Sequence, residues 1–191
     1  MKNIVIVTPA RSGSEWLTNH FVAQGRTRYS VADGEASDKH LTIQERIDKL
    51  KTMSPWITKV LTDEYIDLTL LEADDVDIVW LSRTNIAEHF ISMTFATRTG
   101  VFNVFNDDKY TPPEVFNPSN AETDYFENIV HCRDKVFIDN EHRLNHIITY
   151  ENLFTDNPWN FKSVDNTIRL NHYKSEWIEQ ATNILNAKGL K

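Results

Sequence analysis

The sequence predicts an α/β protein built on a mainly parallel sheet, and three observations carry that expectation. A β-branched run, Asn3-Ile4-Val5-Ile6-Val7, breaks at Thr8-Pro9 and restarts after Ser12-Gly13-Ser14 with helical spacing. Val76-Asp77-Ile78-Val79-Trp80-Leu81 is a second apolar run, of the kind shown by a strand buried on both faces. Along the rest of the chain, runs of strand character alternate with amphipathic stretches, the pattern of a parallel sheet layered by helices.

Taken in order, Ser14 to about Gln24 reads as a helix with Leu17, His20 and Phe21 on one face, ended by Gly25. Residues 26–40 read as a connector. Thr42 begins a capping-box pattern with Glu45, and Ile43, Ile47 and Leu50 continue it to Ser54-Pro55. Trp56 to Leu61 has strand composition, and Thr62 is expected to cap a short helix through Leu71, with Tyr65, Leu68 and Leu71 on one face. Residues 85–97 look helical. Residues 98–121, with Gly100, two adjacent prolines and several aromatics, read as a long loop or lid. Ala121 to about Glu141 reads as a long helix, Asn145 to Tyr150 as a strand, and Lys174 to Ala187 as a last amphipathic helix. Asp156 to Leu170 has little periodicity.

At 191 residues the chain is long enough to bury a substantial core, and residues 1–191 are read as a single domain. Hydrophobic residues make up 40%, yet no apolar run approaches membrane-spanning length and Met1-Lys2 leads straight into a strand, so a soluble cytoplasmic protein is expected. The formal charge of −8 argues against broad binding to nucleic acid or to an anionic membrane. An anionic cofactor would need a local cationic pocket. The lone Cys132 cannot form an intrachain disulfide and is read as a small buried hydrophobe without chemistry.

The chemistry is concentrated in the segment after the first strand. Glycine lets the backbone curl close to a ligand, the first N–H groups of the new helix point into the curl, and Arg11, Ser12 and Ser14 add donors. An anion belongs there. The Walker pattern needs Gly-Lys-Ser/Thr, whereas this chain has Gly13-Ser14-Glu15 and carries its cation earlier, at Arg11. A second segment, Trp80-Leu81-Ser82-Arg83 followed by a helix bearing Ser92, puts an arginine at a strand end and a hydroxyl two turns beyond it.

The loop from Pro9 to Trp16 resembles the Pro-x-Arg/Lys-Ser-Gly-Ser/Thr-x-Trp/Leu loop that binds the 5′-phosphosulfate in sulfotransferases using 3′-phosphoadenosine 5′-phosphosulfate (PAPS). Arg83 and Ser92, nine steps apart, resemble the 3′-phosphate motif of the bacterial nodulation-factor and trehalose type. Ile148-Thr149-Tyr150-Glu151-Asn152-Leu153 is similar to the late strand ending in Tyr-Glu-Asp-Leu, whose role is architectural. The three stand in the family's order. The resemblance implies a three-layer sandwich with a P-loop NTPase-like sulfotransferase fold and PAPS as donor. It implies a small-molecule or carbohydrate acceptor, and donor binding by Arg11, Ser12, Gly13, Ser14, Glu15, Trp16, Arg83 and Ser92.

Two departures from the cytosolic type matter: Lys59-Val60-Leu61 stands where Lys-Thr-His is usual, and the C-terminal glycine-rich clamp is missing. Lys59 is therefore retained as a catalytic cation beside Arg11, while the base must come from elsewhere. Asp33-Gly34-Glu35 lies where the bacterial-like type carries its glutamate, so Glu35 is the first expectation for the base. His20 comes second and the Asp63-Glu64 pair third. No residues have metal-site spacing, and the reaction needs no metal. Two alternatives remain, a nucleotide kinase-like phosphotransferase and a catalytically degenerate nucleotide-binding protein, the latter because Glu15 must point away from the phosphates or repel them.

Overall fold

In the computed structural model, which describes residues 1–64, 66–100, 114–153, 158–159 and 173–190, five parallel strands form one sheet. They are β1 (Asn3–Thr8), β2 (Thr27–Arg28), β3 (Trp56–Leu61), β4 (Val76–Ser82) and β5 (His146–Thr149), in the order β2-β3-β1-β4-β5. The helices are α1 (Ser14–Ala23), α2 (Ile43–Lys51), α3 (Ile86–Thr99), α4 (Asn120–Asn140) and α5 (Ser175–Ala187). The direction of winding reverses about β1, whose neighbours are β3 and β4, so the carboxyl end of β1 opens at the switch point where such sheets bind ligands.

Alternation along the central strands divides the core into layers. Ile4 and Ile6 of β1 face Leu17 and Phe21 of α1, while Val5 and Val7 face Ile47 and Leu50 of α2, with Phe137 of α4 against Trp80 on the same side. Helices thus cover both faces, giving a three-layer α/β sandwich. The third apolar cluster joins α3, α4 and α5. Every residue of α3 from Ala87 to Ala96 is buried, as expected of a helix packed all round.

Most expected elements are present, including the Thr42–Glu45 capping box at the start of α2. The helix expected from Thr62 to Leu71 is not. Among the described residues this stretch holds turns and a 3-10 segment, Leu68–Leu70, capped by Asp67. Leu68 and Leu71 are buried as their spacing demands, but three residues is one turn of a 3-10 helix as well as roughly one of an α-helix. Tyr65 lies outside the described residues. The connector 26–40 contains the short edge strand β2. In the segment read as a lid, α3 runs on to Thr99 and Gly100 caps it, while residues 101–113 lie outside the described residues. Most of the 156–170 stretch lies outside them too. Cys132 is half-buried rather than buried. No described helix is long and apolar enough to cross a membrane.

Phe90 anchors α3, its ring stacked on Phe126 at 4.9 Å and edge-on to Phe116 at 5.5 Å, with no exposed surface. Phe90→Ala should lower unfolding stability by roughly 3–5 kcal/mol in denaturant titration.

Candidate functional site

The loop after β1 is held in an unusual backbone conformation. Arg11 has φ 67° and Gly13 φ 81°, so a side-chain-bearing residue and the N-cap of α1 both adopt the left-handed region. At Gly13 the absence of a Cβ also answers a contact invisible in the sequence: an added Cβ would lie 2.6 Å from the Tyr150 ring. Ser14 opens α1 and is buried, and Ser12 is buried with its Oγ lacking a hydrogen-bond partner among the described residues. A buried hydroxyl without a partner is costly and marks a position open to an acceptor.

Two residues of α3 reach this loop. Arg11 Nε donates to Ser92 Oγ at 3.2 Å, and His89 Nε2 lies 2.6 Å from the carbonyl oxygen of Ala10. A carbonyl only accepts, so the proton of the imidazole sits on Nε2 and Nδ1 is a buried lone pair with no hydrogen-bond partner among the described residues. Burial, with Arg83, Arg133 and Arg11 nearby, pushes the His89 pKa down from 6.5 to about 3, so the ring is neutral.

Arg83, at the end of β4, is 8% exposed, and its Nε and Nη1 have no hydrogen-bond partner among the described residues. Its guanidinium lies over the Tyr150 ring, 4.0 Å from the centroid. Tyr150 therefore touches both the phosphate loop and Arg83. Glu151 fixes the turn that follows: its carboxylate accepts from the backbone N–H of Thr84 at 3.2 Å and of Asn85 at 3.1 Å. Burial would raise the Glu151 pKa, but its own backbone N–H together with those of Asn85 and Thr84 outweighs burial and holds it low. Ser92, expected beside Arg83, makes its hydrogen bond to Arg11 instead, because the buried face of α3 packs against the loop.

Glu15, the acid expected to repel an anion at this loop, is balanced by two cations. Its carboxylate takes both Nη1 and Nη2 of Arg28 and lies 3.6 Å from Lys59 Nζ. Burial raises its pKa, but Arg28 and Lys59 more than offset this and keep it charged. Lys59 is thereby held near the start of α1. Trp16 stacks on His20 with ring centroids 5.3 Å apart, and burial lowers the His20 pKa.

The candidate bases are differently placed. Glu35 is exposed and starts a 3-10 turn, Ala36–Asp38, in a connector pinned by Arg46, which donates to the carbonyls of Ala32, Val31, Asp38 and Lys39. Glu64 is half-buried against the end of β3, accepting from Leu61 N at 2.8 Å. Burial raises its pKa, as do Asp33 and Asp63, against a lowering by the Leu61 N–H and by Lys59. Asp33 thus brings the connector to the same edge of the sheet as Glu64. Sequence reasoning missed His89, Arg28 and Arg46. Only His89 left a signal, since it lies one turn before Ser92 on the same helix face.

Fold and loop together define a parallel α/β protein with a tight left-handed turn between its first strand and its first helix. No family model matches the chain, and no curated protein matches it in sequence. Solved structures with a similar backbone include a shikimate kinase from Bacteroides thetaiotaomicron, at 10% identity and TM-score 0.49 over all of both chains. Another is a sulfotransferase domain from the curacin biosynthetic pathway, at 11% identity and TM-score 0.43 over all of this chain and 99% of that one. Likenesses at this level leave the chemistry to be read from the side chains.

His89 makes folding pH-dependent. Below its ordinary pKa of 6.5 the unfolded chain takes up a proton that the folded ring, surrounded by Arg11, Arg83 and Arg133, refuses until about 3. Its contribution is whole above about pH 6.5 and drains away as the pH falls toward 3. The stability of the wild type minus that of His89→Gln, from denaturant titrations across this window, should fall with pH, and a flat difference would mean that the folded ring is not held neutral.

Proposed function

We propose that this protein is a sulfotransferase that moves a sulfuryl group from PAPS to a hydroxyl, or an amine, of a small molecule or carbohydrate. The observation that carries the reading is Arg83, a buried guanidinium whose Nε and Nη1 find no hydrogen-bond partner among the described residues, one aromatic ring away from the loop after β1. A buried, unpaired cation is costly unless an anion completes it. The donor has two anionic groups on one ribose, and the chain has two cationic places to receive them. The 5′-phosphosulfate would meet Arg11, the Ser12 hydroxyl and the first N–H groups of α1, and the 3′-phosphate would meet Arg83.

In this reading the acceptor oxygen attacks sulfur in line with the departing phosphate oxygen. Arg11, with Lys59 behind it, stabilises the charge that grows on the leaving group. Glu64 is favoured over Glu35 for the acceptor's proton, because burial raises its pKa toward working pH whereas Glu35 is exposed.

Arg83→Ala should weaken adenosine 3′,5′-bisphosphate binding in calorimetry by about ten- to a hundredfold and barely change binding of 5′-AMP. Equal losses, or a preference of the wild type for ATP with magnesium, would overturn the proposal. Glu64→Gln should cut acceptor sulfation by a factor on the order of 10²–10⁴ with bisphosphate affinity nearly intact, and if Glu35→Gln does so instead, the base is Glu35.

A further inference from the structure

Ser92 occupies the motif position expected to read the 3′-phosphate, yet the hydrogen bond its side chain makes is to Arg11 Nε, at 3.2 Å. One turn earlier on the same buried face, His89 holds the carbonyl of Ala10 at 2.6 Å. The two contacts fall on consecutive loop residues, and the second of these is the one non-glycine residue at positive φ among the described residues. A side-chain-bearing residue stays in the left-handed region only where its surroundings over-determine it. A glycine at position 11 would relieve that strain but would remove the guanidinium.

We infer that α3 clamps the phosphate loop: His89 and Ser92 are positioning residues that hold Ala10 and Arg11 in the conformation aiming the guanidinium at the anion, so that Ser92 serves the ligand through Arg11. The clamp is stiff because α3 is buried from Ala87 to Ala96 among α4, α5 and the loop. His89 and Ser92 are themselves 0% and 3% exposed, which leaves their hydrogen bonds without competition from water. The role of Arg11 at the transferred group rests on the function proposed above, whereas the clamping of the loop does not.

The test therefore has one arm that needs no ligand. Hydrogen exchange of the full chain should show amides in residues 10–17 exchanging about tenfold faster in Ser92→Ala, and in His89→Leu, with β3 and β4 unchanged. His89→Gln, which keeps a donor near the place of Nε2, should retain most of the protection, and it decides the point if His89→Leu fails to fold. Unchanged loop exchange in Ser92→Ala and in whichever His89 variants fold would overturn the clamp, even if the wild type binds neither nucleotide and the proposed function falls. In the second arm, Ser92→Ala should lower kcat, weaken adenosine 3′,5′-bisphosphate and 5′-AMP by the same factor, and cause no further loss in an Arg11→Ala background. A selective loss for the bisphosphate, or a loss that persists without Arg11, would mean that Ser92 touches the ligand directly and that the inference is wrong.

Discussion

The Tyr150 ring is the contact on which the rest of the site depends. Its edge lies where a Cβ on residue 13 would stand, and its face carries the Arg83 guanidinium at 4.0 Å. The ring therefore limits how closely the loop after β1 can approach and gives a buried arginine an aromatic face, with the Glu88 carboxylate near enough to feel its charge. Cation–π attraction compensates part of the lost hydration, while a direct ion pair would have consumed the charge. The backbone places Tyr150 well, because its N–H continues the ladder by donating to the Ser82 carbonyl at 2.7 Å. A residue at a strand end thus joins the loop after β1 to the end of β4, two elements far apart in sequence.

Around this contact the electrostatics are local. A chain with net charge −8 assembles Arg11, Arg83 and Arg133 around one imidazole, and keeps that imidazole neutral by burying it among them. Lys59 and Arg28 would add to the same field, but Glu15 binds both and damps it. The result is a cationic site shielded on its α1 side, with the carboxylates Asp33, Asp63 and Glu64 gathered by the end of β3. Cationic and acidic groups are thus kept apart, the arginines about His89 and the carboxylates by the end of β3.

What the sequence by itself determined was the framework, because strands and caps are written in local periods and short-range hydrogen bonds. The runs at 3–8, 56–61 and 76–82 are strands, the Thr42–Glu45 pair caps its helix, and the loop sits at the carboxyl end of the first strand. The stretch from 62 to 71 misled because an apolar spacing of three suits a 3-10 turn as well as a helix, and packing made the choice. Partners across the fold were beyond any local signal. That Glu15 is neutralised by Arg28 and Lys59, that Ser92 binds Arg11, that Gly13 makes room for Tyr150 and that Arg46 ties down the connector each join segments brought together only by the sheet order. Residue types named the chemistry on offer, and the tertiary structure decided which charges are spent on one another and which, like Arg83, rest on an aromatic ring with nitrogens that find no hydrogen-bond partner among the described residues.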